Sequence, residues 1–456
     1  MKKHLAEQST LFVSILKWTV LASIIGVAVG ISTTLFLRTL KLSLDFAGGY
    51  PYSYLLLPVA LWLSNLVAVK IDEEAAGEGL DKVIDSVHSS YGKVRFMVGP
   101  AKFIASIITI AGGGSVGKEA PPVQVGAALA SSFAQVLRFD KTDRRKLVIC
   151  AISAGFASVF GAPIAGAIFG IESLFLGQLL YDVLFPSFVA GMVAYQVSLY
   201  FGVSYFTNSI NIVPPFTGGL FFKVILAGVL FGLVSLVLIE AMKLATRLFN
   251  KIKLSLPLKG ALAGVILLAM TLLLGDHRYL GLGLDTVEGA ALGQPVPYYA
   301  FILKIIFTAV TLGSGASGGI ITPIFFVGAT SGSALAGSFG FDPGTFAAIG
   351  MVAVLAGAAN TPVSAGILAM ELFGVKLGPW AATAAIVSYL MVGNRSIHSS
   401  QVVSSLKSSS VLVPLDEKIG GANVTVKVRE KGLLGNVRSA YIKGKGTCSK
   451  KKNDHE

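Results

Sequence analysis

The chain has 456 residues, of which 54% are hydrophobic and only 13% charged, with 52 glycines and a mean hydropathy of +0.74. Soluble domains carry about 25% charged residues and about 7% Gly, so this composition cannot furnish a large water-exposed surface and points to a protein that crosses a membrane many times. The formal charge of +13 would suggest nucleic acid in a soluble protein; here the basic residues fall mainly between apolar runs and in terminal segments, as topology signals and lipid-headgroup contacts, and no nucleic-acid partner is expected.

In chain order, MKKH is followed by Trp18 to Leu37, an uncharged stretch with no clear cleavage site, which reads as a retained first span. Apolar stretches then recur at 50–69, 98–137, 147–171, 174–201, 218–241, 260–275, 298–341, 343–373 and 377–393. Two basic clusters lie between them, Lys141, Arg144, Arg145 and Lys146, then Lys243, Arg247, Lys251, Lys253 and Lys259. The uncharged run between Lys304 and Asp342 is too long for one span of about 20 residues and too short for two with a loop. Its middle, GSGASGGIITP, breaks helices. Irregular backbone at membrane depth is tolerated only where protein buries it or where it lines a wet cavity, so two broken helices meeting near the midplane are expected. The segment from about 404 to 456 contains NVTVKVR, whose alternation suits a small strand. It is too short for a paired regulatory domain, and no nucleotide-binding module is expected. The basic stretches MKKH and GKGTCSKKK favour cytoplasmic termini.

The chain also repeats itself. GEGLDKV at 77–83 matches GLGLDTV at 281–287. GGGSVGKEAPPVQVGA (112–127) aligns with SGASGGIITPIFFVGA (314–329), setting Ser115 on Ser317, Gly117 on Gly319 and Pro121 on Pro323. AGFASVFGAPIAGAIFGIE (154–172) aligns with VAVLAGAANTPVSAGILAME (352–371), setting Pro163 on Pro362 and Glu172 on Glu371. Three matched blocks in one order divide the chain into a first membrane repeat (1–203), a second (204–403) and a short basic tail (404–456). Transporters of this build place their site between Gly/Pro-interrupted segments of both repeats.

Other chemistries find no support. Cys150 and Cys448 form no CxxC, and His4, His88, His277, His398 and His455 show no metal-ligand spacing. There is no Walker A, GxSxG or HExxH sequence. No enzyme activity, metal or cofactor is expected.

The repeats differ where the second has Ile320 and Ile321, because the first has Lys118 and Glu119, the only charges between Lys102 and Arg138. A charge near the bilayer centre costs about 2.5–3.5 kcal/mol on insertion scales, which makes Glu119 a functional candidate; the alternative is a loop at the membrane surface. A Gly-rich turn opening a helix aims unpaired N–H groups and the positive end of the helix dipole at one spot. Gly117 to Pro122 and Gly318 to Pro323 both fit, with Pro suited to the first helical turn. Helix N-termini facing each other would hold a small anion without binding it too tightly to release. Ionised Glu119 can occupy that position itself and leave it on protonation, acting as gate and proton acceptor together.

At these residues the chain resembles the CLC family of chloride channels and proton-coupled chloride transporters. GGSVGKEAP is similar to that family's gate segment, GGIITP to its central anion-binding segment, and GEGLD, GAPIAGAIFGIE and NRSIHSSQ to further segments in the same order. The resemblance covers roughly residues 10–405. It implies an all-α polytopic membrane protein of two inverted-topology repeats with tilted and partial helices. It also implies a homodimer with an anion pathway in each subunit, an integral protein of a prokaryotic plasma membrane.

Residue by residue, the resemblance sets Glu119 on the gating glutamate, with Gly117 and Lys118 beside it. Gly318, Gly319, Ile320 and Ile321, with Pro323, fall on the segment whose amides coordinate the central anion. Glu78 falls on a serine that touches the anion from inside, His398 on a tyrosine that also touches it, and Ser173 on an internal proton-transfer glutamate. Glu78 either faces the pathway, as an inner proton-accepting group in place of the one missing at Ser173, or turns to water. His398 either coordinates an anion through an N–H donor, with pH dependence from a pKa near 6.5, or caps and packs at the last membrane helix. Glu172 and Glu371 are expected to hold structural hydrogen bonds at helix ends, and Gly166, Gly170 and Gly191 to permit close helix packing.

The expected function is transport of chloride or a similar small monovalent anion across the bilayer in exchange for protons, gated by Glu119. A passive voltage- or pH-gated chloride channel of the same fold is the alternative, since Ser173 weakens the proton route. A non-transporting scaffold or sensor is disfavoured by Glu119 and the repeated anion-ready turns. A fluoride-selective exchanger is a further alternative, although Glu78 and GGIITP do not suggest it.

Overall fold

The computed structural model describes residues 2–206, 214–215, 217–412, 414–420 and 427–428. Among these, sixteen α-helices fall into two sets of eight. The first set is α1 (Lys2–Gly48), α2 (Leu57–Ile71), α3 (Gly79–Ser89), α4 (Val98–Ala111), α5 (Ala120–Val136), α6 (Lys141–Phe160), α7 (Pro163–Glu172) and α8 (Tyr181–Tyr200). The second is α9 (Gly218–Lys251), α10 (Leu256–Leu274), α11 (Leu284–Ala291), α12 (Ala300–Gly313), α13 (Ile321–Phe339), α14 (Pro343–Ala359), α15 (Pro362–Phe373) and α16 (Gly378–Val392). The fold is the expected pair of inverted repeats. Six of the described helices are long and apolar enough to cross a membrane. Others, such as α4 and α12 with 14 residues each, are partial helices.

Packing follows the repeat. α1 lies along α8 and α9 along α16, α5 packs on α6 and α13 on α14, while α2 meets α10 and α7 meets α15 across the two halves. One apolar core runs through both sets, from Leu21 to Ala385. Small residues set the spacing. A Cβ on Gly166 would stand 2.7 Å from the Ala157 nitrogen, and one on Gly191 3.2 Å from the Pro163 carbonyl. One on Gly170 would overlap the Ser153 hydroxyl.

The sequence punctuates both sets alike. α6 ends at Gly161 (φ +71°) and α14 at Asn360 (φ +60°), each left-handed and each followed two residues later by the Pro that opens α7 or α15. Asp140 and Asp342 cap α6 and α14, accepting from Asp143 N–H at 2.7 Å and Thr345 N–H at 2.9 Å. The apolar runs at 98–137 and 298–341 both break, at the Gly-rich turns between α4 and α5 and between α12 and α13. The first helix is longer than its apolar stretch, because no Pro and no glycine pair interrupts the chain before Gly48–Gly49.

Beyond α16 the chain turns back. Strand β1 (Phe175–Leu176) pairs in parallel with β2 (Val402–Val403), and β3 (Val411–Leu412) pairs antiparallel with β4 (Lys427–Val428). The second pairing places part of NVTVKVR in a strand; the rest of that segment, and most of the tail, lies outside the described residues.

Candidate functional site

The two Gly-rich turns meet face to face. Gly117 N–H donates to Gly319 O at 2.7 Å and Gly319 N–H to Gly117 O at 3.0 Å, while Gly318 N–H donates to Gly77 O at 3.3 Å. This corrects the expectation that the amides of Gly117, Gly318 and Gly319 are free for an anion. The inverted copies bring the turns edge to edge, and their N–H groups satisfy one another, as buried backbone must. The open donors lie one step further on, at the N-terminus of α13.

There the seat is filled. The Glu119 carboxylate accepts from Ile321 N–H at 2.6 Å, from Thr322 N–H at 3.3 Å and from the Thr322 hydroxyl at 2.8 Å. Glu119 is only 2% exposed, buried against the start of α13. Ile320 is the N-cap residue of α13. A methyl group on Gly117 or Gly319 would overlap the Glu119 carboxylate, so both positions are glycine to admit it. Lys118 is half-buried and forms neither hydrogen bond nor ion pair among the described residues, although its charge interacts with that of Glu119. A carboxylate on a helix N-terminus gains charge-assisted hydrogen bonds and the dipole together; a small anion would gain the same.

A second carboxylate sits on a second N-terminus. Glu78 is the N-cap residue of α3 and accepts from Leu80 N–H at 3.0 Å and Asp81 N–H at 2.6 Å. His398 is fully buried, with Nδ1 3.8 Å from Glu78 Oε2, too far for a hydrogen bond. Neither ring nitrogen has a partner among the described residues. Glu78 therefore faces the buried polar cluster rather than water alone, and the simple helix-packing role for His398 leaves its two nitrogens unexplained. Ser173 is also buried, its hydroxyl without a partner among the described residues and its carbonyl accepting from Gln401 Nε2 at 2.8 Å.

Around the seats the halves exchange bonds. Ser115 Oγ lies 3.0 Å from Thr308 Oγ1 of α12, and Ser317 Oγ lies 3.1 Å from Ser106 Oγ of α4. Glu172 accepts from Val363 and Ser364 N–H at the start of α15 (3.0 and 2.8 Å), and Glu371 from Ile164 and Ala165 N–H at the start of α7 (2.9 and 2.8 Å). Both glutamates hold helix-end hydrogen bonds, as expected.

Three residues escaped the sequence reading. Thr322 looks like one more polar residue in an apolar run until α13 is set against Glu119. Lys102 and Lys304 are fully buried; Lys102 donates to Ala75 O (3.2 Å) and Gly77 O (2.5 Å), Lys304 to Tyr279 O (3.1 Å) and Gly281 O (2.8 Å). They bind repeat-related loops. Their equal distance upstream of Ser115 and Ser317 was a signal available in the sequence.

Residues 59–393 match the family described as Voltage gated chloride channel. The chain is 36% identical over 419 residues to a chloride/fluoride channel protein of Pseudomonas syringae pv. tomato, covering 91% of this chain and 92% of that one. It is 26% identical over 385 residues to an H(+)/Cl(-) exchange transporter, ClcA, of Yersinia pestis bv. Antiqua, covering 77% and 79%. Among solved structures, a CLC-type fluoride/proton antiporter superposes with a TM-score of 0.81 at 26% identity, covering 85% of this chain and 98% of the other. A slow cyanobacterial Cl-/H+ antiporter, at 19% identity and a TM-score of 0.73 over 82% and 94%, shares the fold.

Proposed function

The chain belongs to the CLC family of voltage-gated chloride channels and transporters, an integral membrane family that moves anions, and on that premise we propose that it exchanges a small monovalent anion for protons with Glu119 as the gate. The observation that carries this reading is the Glu119 carboxylate on the Ile321 and Thr322 amides. Ionised, the side chain fills the place an anion would take. Protonation removes the charge that the amides and the α13 dipole hold, so the neutral side chain yields the seat. One group thereby couples anion passage to proton uptake.

Chloride and fluoride both stand as substrates. The sequence offers no fluoride signal, but one relative carries both anions in its name and a structural neighbour is a fluoride/proton antiporter. Glu78, with His398 beside it, is the inner proton site in place of the group absent at Ser173. The protein works as a homodimer in a plasma membrane, with both termini in the cytoplasm. The second reading is a passive channel, which Ser173 favours by supplying no carboxylate on the internal route.

Reconstitution in liposomes tests these readings. Under a chloride or fluoride gradient, an exchanger shows a reversal potential that shifts with a pH gradient; a channel shows one set by the anion alone. Glu119→Gln, which cannot carry the charge, abolishes the pH-driven shift, and Glu78→Gln lowers anion-driven proton flux. If neither anion moves and Glu119→Gln changes nothing, the transport reading is wrong.

A further inference from the structure

The two carboxylates share one posture. Glu119 fills the N-terminus of α13, and Glu78 fills the N-terminus of α3 with its own Leu80 and Asp81 amides as donors. The backbones of the two seats are joined, because Glu78 and Gly318 form a bridge beside the one between Gly117 and Gly319. Beside the α3 seat lies an imidazole with no hydrogen bond to its ring among the described residues. His398 is fully buried with both ring nitrogens open among the described residues, 3.8 Å from Glu78 Oε2.

Its backbone, by contrast, is held on every side. His398 N–H donates to Ser396 Oγ at 3.0 Å, and Ser396 Oγ donates to Gln401 Oε1 at 2.6 Å. Asp81 accepts from Ser400 N–H and from the Ser399 hydroxyl, both at 2.8 Å. A loop fixed so firmly around an unbonded imidazole is built to present that ring to something that arrives or moves. The charged groups facing the ring and Glu78 are Asp81 and Lys82 on α3, Lys102 on α4 and Glu119 ahead of α5.

We propose that Glu78 is a second carboxylate plug, at the α3 seat, and that His398 is its proton-operated latch. The inference rests on the anion-pathway reading above and adds a control point to it. With His398 neutral, Glu78 stays on the Leu80 and Asp81 amides and blocks them. When His398 takes a proton from water at this end of the pathway, a shift of about 1 Å brings Nδ1 and Glu78 to the 2.7–2.9 Å of a charge-assisted hydrogen bond. Drawn to the imidazolium, Glu78 Oε2 loosens from the Asp81 amide, which becomes a donor for the anion. Loss of the proton returns Glu78 to α3. Anion access at this end therefore rises as pH falls. Asp81 is the positioning residue that keeps the ring within reach.

The test uses the full chain in liposomes, in a Glu119→Ala background that removes the other carboxylate's titration, with chloride and fluoride efflux read by ion-selective electrode at symmetric pH. Flux is expected to fall about ninefold across the two pH units centred on imidazole titration, from about nine-tenths to about one-tenth protonated. Adding His398→Gln should hold flux low at every pH; adding Glu78→Ala should hold it high at every pH. The variant carrying both should behave like Glu78→Ala, since a latch cannot act without its plug. A pH profile unchanged by His398→Gln, or a combined variant that stays slow, overturns the latch while leaving Glu119 gating intact. If His398→Gln does not assemble, Glu78→Ala decides alone, since a retained ninefold fall overturns the proposal. If neither the unaltered protein nor Glu119→Ala passes anions, the transport reading itself fails and the latch with it.

Discussion

Glu119 was visible in the sequence because it and Lys118 stand out in a long uncharged run, where the cost of a charge demands a purpose. Its partner Thr322 was not, because a threonine near the start of an apolar helix is ordinary and only the meeting of two distant turns gives it a task. Thr322 donates twice to the Glu119 carboxylate, through its N–H and its hydroxyl. Thr322→Val removes only the hydroxyl. A hydrogen bond to a charged group contributes about 1.5–3 kcal/mol, so the carboxylate should leave the seat more readily by about tenfold or more. The expected readout is faster anion flux at neutral pH and a weaker dependence on pH. Flux and pH profile identical to the unaltered protein would show that the hydroxyl does not hold the gate. The same contrast separates the predicted amides. Ile321 donates its N–H to the Glu119 carboxylate, whereas Gly117, Gly318 and Gly319 spend their N–H groups on each other's turns and on the Gly77 loop.

Helix ends carried most of the legible information. Pro163 and Pro362 mark the starts of α7 and α15, and the residues two before them, Gly161 and Asn360, take the left-handed conformation that stops the preceding helix. These signals are local, so a single sequence shows them. What each end is capped by is not local. Glu172, near the end of α7, caps α15, and Glu371, near the end of α15, caps α7. Replacing a cap costs about 0.5–2 kcal/mol. Glu371→Gln keeps the shape and loses the charge, so it should lower the thermal unfolding midpoint in detergent and leave proton coupling per folded molecule unchanged. Loss of coupling at unaltered stability would instead make Glu371 part of the proton route. The paired lysines teach the same lesson: Lys102 and Lys304 look like the borders of apolar runs, yet each folds inward onto two carbonyls of a loop. Sequence shows their charge but not the buried acceptors that make it tolerable.

At the scale of the whole molecule, the halves are held by exchanged contacts rather than by the connecting chain. The Gly117–Gly319 bridge, the Ser115–Thr308 and Ser317–Ser106 pairs and the two glutamate caps all cross between repeats. Two separately expressed pieces, 1–206 and 214–456, should therefore copurify and restore anion flux in liposomes. Pieces that insert in the membrane but do not associate would show that covalent linkage is needed to bring the repeats together.

The sequence alone determined a many-span membrane protein, its duplicated plan, its broken helices and the Lys118–Glu119 pair that marks the candidate site, because composition, punctuation and charges set in an uncharged run act through neighbours a few residues away. Only the tertiary structure decided which amides remain open, that Thr322 holds Glu119, and that Glu78 and His398 share a buried cluster at α3. Those facts depend on which distant turns touch, and that is settled when the two inverted repeats pack and each buried polar group must find its partner in the other half.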